Sequence, residues 1–146
     1  MIPINDLSRS FQLYQEEYEA KALEVLRSGW YILGKEVSAF EEEFAKALSP
    51  NCYCAGVDNG LDAILVGLMA AGIRPGDEII VQANGYIATM LGIIQCGAVP
   101  VFVEPDEYFQ LDANRIEAAI TKKTRGVLVT HFKAHRHCQD VWRTRS

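Results

Sequence analysis

The chain has 146 residues, of which 49% are hydrophobic and 23% charged. That is enough for one ordinary domain with its own core, and the composition excludes a disordered or fibrous protein. A formal charge of -5 argues against general nucleic-acid affinity, which needs a surplus of Lys and Arg on some face.

No apolar run approaches the ~18 residues of a membrane span. The opening MIPINDLSRS has no basic stretch leading into a greasy one, so a cytoplasmic protein without a membrane partner is expected. From Gln12 to Arg27, Leu13, Ala20, Ala22, Leu23, Val25 and Leu26 recur among Glu and Lys at helical spacing, and Ser28-Gly29 stops the run. SGWYILGKE breaks the pattern. EVSAFEEEFAKAL then restores it, with Val37, Phe40, Phe44 and Leu48 on one face and the acidic residues on the other.

After Ser49-Pro50-Asn51, CYCAGV reads as a buried strand and residues 60–71 as a helix ended by Gly72. RPGDE is a turn, IIVQA a strand, YIATMLGIIQCG a helix ending at Gly97, VPVFVEP a strand, LDANRIEAAI a helix capped by Asp112, and RGVLVTH a strand. Strands alternate with helices throughout this half. Apolar, β-branched strands in that order predict an α/β fold with a mostly parallel sheet and flanking helices.

The last fifteen residues, FKAHRHCQDVWRTRS, keep no apolar period. Residues 1–132 hold ten Lys and Arg against eighteen Asp and Glu, whereas residues 133–146 hold four against one. Four scattered cysteines, Cys52, Cys54, Cys96 and Cys138, do not make a disulfide framework and are read as reduced thiols. His131, His135, His137 and Cys138 cluster within eight residues, but no second ligand pair at finger-like spacing accompanies them, so no metal site is assigned.

In parallel sheets ligands bind beyond the carboxyl ends of the strands. GVDNGLDAI is one such strand-to-helix junction: backbone N–H groups of Gly60 and Leu61 are expected to face outward there, with the helix dipole behind them, and Asn59 can donate an amide hydrogen to an anion. The same letters also suit a plain turn and cap. Asp58 would repel a phosphate, so the anion reading requires it to point away. At the next junction, QANGYIATM sets Tyr86 beside Asn84 and Thr89, where its ring can lie on a planar ligand or serve as half-buried packing.

Taken together, MIPINDLSRS, SGWYILGKEVSAFEEEFAKAL, GVDNGLDAI, GIRPGDEIIVQANGYIAT, CGAVPVFVEPD and AAITKKTRGVLVTH resemble, in order and spacing, the N-terminal part of the sugar aminotransferases of the DegT/DnrJ/EryC1/StrS family. SGWYILG and NGLDA are most similar to the enzymes that make 3-amino-3,6-dideoxyhexoses on dTDP. The resemblance covers residues 1–131 and implies part of the large domain of a type I aminotransferase dependent on pyridoxal 5'-phosphate (PLP). It implies a homodimer that transaminates a nucleotide-linked keto-deoxysugar with an amino-acid donor such as glutamate, in surface-polysaccharide or deoxysugar synthesis. By the same resemblance Asn59, Gly60 and Leu61 hold the cofactor phosphate, Tyr86 lies against the pyridine ring, and Trp30 and Tyr31 line the substrate side.

The family's Schiff-base lysine and the Asp beneath the pyridine nitrogen lie beyond the stretch that matches, and none of Lys21, Lys35, Lys46, Lys122, Lys123 and Lys133 stands in that lysine's context. No catalytic residue is therefore named, and the chain is expected to be an inactive, truncated product whose residues 132–146 are an aberrant tail outside the fold. The alternatives are a non-catalytic α/β module that binds a phosphorylated ligand or pairs with a complete subunit, and a small metal-binding module built on the tail.

Overall fold

The computed structural model describes residues 6–131. The chain divides into two compact units, residues 1–56 and residues 57–146. The expectations for the tail, with His135, His137 and Cys138 among them, fall outside the described residues.

The first unit is helical. Helix α1 (Leu7–Leu13) is capped by Asp6, whose Oδ1 accepts the Ser8 N–H at 3.1 Å. Where one helix from Gln12 was expected, the chain breaks at Tyr14 (φ -132°) and restarts as α2 (Gln15–Ser28), which Gly29 ends in the left-handed region at φ 69°. Helix α3 (Lys35–Leu48) follows. Lys21 bridges Glu24 at 3.0 Å and Glu36 at 3.3 Å, and Lys35 reaches Glu24 at 3.0 Å, so one exposed ion network ties α2 to α3. Its groups answer one another: Lys21 is raised by its hydrogen bond to Glu24, and Glu24 is lowered by Lys35 and then Lys21.

The expected strand CYCAGV does not form. Residues 52–57 carry no ladder, and Tyr53 is 99% exposed. A strand exists only when a neighbour closes its backbone hydrogen bonds. Here the Gly56 N–H is taken instead by the Glu41 carboxylate at 2.7 Å.

The second unit is α/β, as its alternating pattern predicted. Its elements are α4 (Gly60–Ala70), β1 (Glu78–Gln82), α5 (Ile87–Gln95), β2 (Val99–Val103), α6 (Ala113–Ala119) and β3 (Thr124–Leu128). The three strands form a parallel sheet in the order β2-β1-β3, with Ile80 opposite Val101 on one side and Val127 on the other. Central β1 is buried on both faces. Ile79 and Val81 pack with Ile93 and Ala98, joined by Leu68, Ile73 and Leu128. Ile80 packs the opposite way with Val103, Leu111 and Ile116.

The turn chemistry follows the letters. Gly72 (φ 80°) stops α4 with the Gly72 N–H on Met69 O and the Ile73 N–H on Leu68 O, and Gly97 (φ 80°) follows α5. Asp112 caps α6 by accepting the Asn114 N–H at 3.0 Å, and that bond first, with Arg115 adding to it, holds the Asp112 carboxyl below the usual carboxylate range. No helix among the described residues is long and apolar enough to cross a membrane.

Candidate functional site at the carboxyl end of the sheet

A four-residue loop, 83–86, carries the chain from the end of β1 into α5, so the α5 N-terminus sits at the carboxyl end of the sheet. Helix α4 runs the same way. Its N-terminal half meets α5 at Gly92, where an added Cβ would lie 2.7 Å from Ile64 Cγ2 and 3.4 Å from Leu61 O, and just past both helices the Cys96 thiol approaches Ile73 O at 3.9 Å. Contacts that advance together along both helices make them parallel, and both N-termini therefore face the end where β1 finishes. The expected phosphate and ring residues of the second unit, Asn59, Gly60, Leu61 and Tyr86, share that end.

The α4 terminus differs from the expected bare one. Asn59, extended at φ -164° and ψ 175°, turns its side chain back, and its Oδ1 accepts the Leu61 N–H at 2.9 Å and the Asp62 N–H at 3.1 Å. The Leu61 amide, expected to be open, is thus engaged by an ordinary N-cap, while the Asn59 Nδ2 donates to Asp62 Oδ2 at 2.9 Å. Only the Gly60 N–H of this turn has no hydrogen-bond partner among the described residues. Gly60 is exposed, and no atom lies within 4 Å of where its Cβ would stand, so an anion can reach the backbone there. Asp58, also exposed, leaves the capping to Asn59.

Tyr86 precedes the first turn of α5 with its ring 73% exposed, and its carbonyl accepts the Thr89 N–H at 2.9 Å. Thr89 itself is buried. Asn84 turns away, donating from Nδ2 to Phe109 O at 3.2 Å and bracing the loop that follows β2. That loop is folded by Asp106, whose Oδ1 accepts the Tyr108 and Gln110 N–H groups at 2.9 and 2.8 Å.

Trp30 and Tyr31 belong to the first unit, where they help line a cleft of ≈ 120 Å³ with Val25, Ser28 and Gly34. Both rings are largely exposed, but their polar tips are spent locally. The Trp30 indole N–H donates to Ile32 O at 2.8 Å, and the Tyr31 hydroxyl to Leu26 O at 3.0 Å.

Neither Lys122 nor Lys123, the described lysines of the second unit, joins the α4–α5 end. Lys21, Lys35 and Lys46 pair with carboxylates on α2 and α3. Lys122 and Lys123 lead into β3, with Lys123 O accepting the Glu78 N–H where β1 starts, at the opposite end of the sheet. Lys133 lies outside the described residues. No group of three or more His, Cys, Asp or Glu able to hold a metal occurs among the described residues.

The sequence reading missed two features of this end. One is the reach of the Asn59 cap, for which an Asn immediately before a helix is the available signal. The other is Gly92, whose need for a bare backbone shows only once α4 and α5 are packed.

Comparison with known proteins places these elements in a wider frame. The DegT/DnrJ/EryC1/StrS aminotransferase family matches residues 12–141. The chain is 46% identical over 133 residues to the dTDP-3-amino-3,6-dideoxy-alpha-D-galactopyranose transaminase of Aneurinibacillus thermoaerophilus, covering 90% of this chain and 36% of that protein. It is 41% identical to the dTDP-3-amino-3,4,6-trideoxy-alpha-D-glucose transaminase of Streptomyces venezuelae, covering 97% and 38%. The crystal structure of S. venezuelae DesV in complex with a ketimine intermediate superposes with a TM-score of 0.90 at 40% identity, again over 97% of this chain and 38% of the other. Bacillus subtilis NtdA with bound cofactor PMP superposes at 0.79, with 32% identity, over 86% and 29%. The chain therefore spans a little over a third of the length of the curated relatives it matches, and its fold is part of an aminotransferase domain.

Proposed function

The chain belongs to the DegT/DnrJ/EryC1/StrS aminotransferase family, and on that premise we propose that it carries the phosphate-gripping and ring-stacking part of a PLP site. The whole protein transaminates a nucleotide-linked keto-deoxysugar of the dTDP-3-keto-6-deoxyhexose type, with an amino acid such as glutamate as donor. It works in the cytoplasm as a homodimer. One observation carries the reading: the open Gly60 amide at the start of an eleven-residue helix and the exposed Tyr86 ring stand at one end of one sheet.

The residues fit the cofactor in charge and shape. The Gly60 N–H and about half a positive charge of helix dipole attract the phosphate. Rotation of the Asn59 side chain away from its cap releases the Leu61 and Asp62 N–H groups to the same anion, with the Asn59 amide as a further donor. The Tyr86 ring offers a flat face for the pyridine. When bound, PLP supplies the electron-withdrawing ring that makes amino-group transfer possible. This chain's residues hold and orient it, while Trp30 and Tyr31 are assigned to the substrate side through their ring faces.

Calorimetric titration of the purified chain tests the proposal. PLP is expected to bind at least about tenfold more tightly than pyridoxal, which lacks the phosphate, since one charge-assisted hydrogen bond contributes about 1.5–3 kcal/mol. Inorganic phosphate should compete, and Tyr86→Ala should weaken PLP without weakening phosphate. Equal affinity for PLP and pyridoxal would remove the assignment.

A further inference from the structure

We propose that the end of β1 carries a second, buried site that binds a hydroxyl group through the carboxamides of Gln82 and Asn84. Gln82 is 0% exposed on the central strand, and neither its Nε2 nor its Oε1 has a hydrogen-bond partner among the described residues. Asn84 Oδ1, two residues on, is buried and likewise unpartnered, its Nδ2 being engaged by Phe109 O. Three interior polar atoms without partners thus fall within three residues of the chain. Strand alternation puts Gln82 on the Ile80 face, the side of Leu111 and Ile116, whereas α4 and α5 pack over the Ile79 and Val81 face. The site therefore lies at the same end of β1 as Gly60 and Tyr86 but on the opposite face of the sheet.

The donor set selects the guest. Two carbonyl oxygens repel an anion, and the Nε2 donor with no carboxylate beside it disfavours a cation. A water molecule accepts from the Nε2 amide and donates to both carbonyl oxygens, and a carbohydrate hydroxyl accepts from Nε2 and donates to one of them. That chemistry comes from an ordered water or from a carbohydrate hydroxyl entering at the carboxyl end of the sheet, where ligands of parallel sheets bind.

Gln82→Met gives a test whose sign decides. Met has nearly the same length and no amide, so if Gln82 is simply unpaired the substitution relieves a buried polar group and raises the thermal midpoint. If Gln82 holds a hydroxyl, the substitution strands that group and Asn84, and the midpoint falls by several degrees. An unchanged or raised midpoint overturns the proposal. Should Gln82→Met not fold, the wild-type chain is read by NMR at the side-chain amides of Gln82 and Asn84. A cross-peak to water, unmoved by added hexose, identifies water as the guest, and a saturable shift with a hexose identifies the sugar. Neither signal on assigned resonances refutes the site.

Discussion

Replacing Gly92 by alanine isolates the cost of bringing α4 and α5 together. A Cβ there would lie 2.7 Å from Ile64 Cγ2, 3.0 Å from Ile64 Cβ and 3.4 Å from Leu61 O. Carbon atoms rest comfortably at about 3.5–4.0 Å, so something must give by several tenths of an ångström. Ile64 cannot swing clear, because a β-branched side chain on a helix has one strongly preferred rotamer and its Cβ is fixed to the backbone. Such overpacking costs about 1–3 kcal/mol. Alanine also improves helix propensity by about 1 kcal/mol over glycine, which would mask part of the loss. Gly67 removes the ambiguity: it lies within α4 and no atom comes within 4 Å of its Cβ position, so Gly67→Ala reports propensity alone. In urea denaturation Gly67→Ala should exceed wild type by about 0.5–1 kcal/mol, and Gly92→Ala should fall about 1–3 kcal/mol below Gly67→Ala. Ile64→Ala combined with Gly92→Ala should be less damaging than the sum of the two single changes. Gly92→Ala as stable as Gly67→Ala would mean that the two helices do not meet at this point.

Asn59→Ala removes the acceptor of the Leu61 and Asp62 N–H groups and should cost about 1 kcal/mol in urea. Asn59→Asp keeps an acceptor for the same N–H groups but sets a carboxylate against Asp62, so it should recover only part of that stability, and it should lose PLP affinity in calorimetry because a carboxylate then faces the phosphate. Asp112 gives a pH prediction: its carboxyl is held low by the Asn114 N–H, so its contribution is present above the ordinary carboxylate pKa and is lost as pH falls through the lower folded value. The stability gap between wild type and Asp112→Asn should therefore close on acidification below about pH 4. The 146-residue chain should show no glutamate-dependent amination of a dTDP-keto-sugar in a coupled assay, because none of its lysines stands in the sequence context of the family's Schiff-base lysine; turnover would overturn that reading.

The second unit was legible because its code is local. Pro-Gly-Asp turns, a glycine after each of α4 and α5, Asp112 before α6 and β-branched strands each act within a few residues, and their order alone sets a parallel sheet. CYCAGV shows where such reading stops. Its letters suit a strand, but a strand is a property of a pair, and nothing in six residues says whether a neighbour is present. Tyr14 is a smaller case: the apolar period runs through it unbroken while the backbone does not.

The site divides along the same line. Asn59, Gly60 and Tyr86 were picked out as residues at the starts of α4 and α5, but which amides are open depended on a side chain turning back on its own helix. Asn59 is suited to that ambiguity. As a cap it gives two neutral hydrogen bonds, whereas a phosphate offers the same N–H groups charge-assisted bonds about twice as strong, with up to ~1 kcal/mol more from the helix dipole. Asp62 opposes the anion from the first turn, and the Asn59 amide that holds its carboxylate is given up when the cap opens. On the proposed function the charge-assisted bonds outweigh that repulsion, the cap is what the helix wears without an anion, and Asn59 keeps α4 closed at its start while leaving the Gly60 amide free to make the first contact.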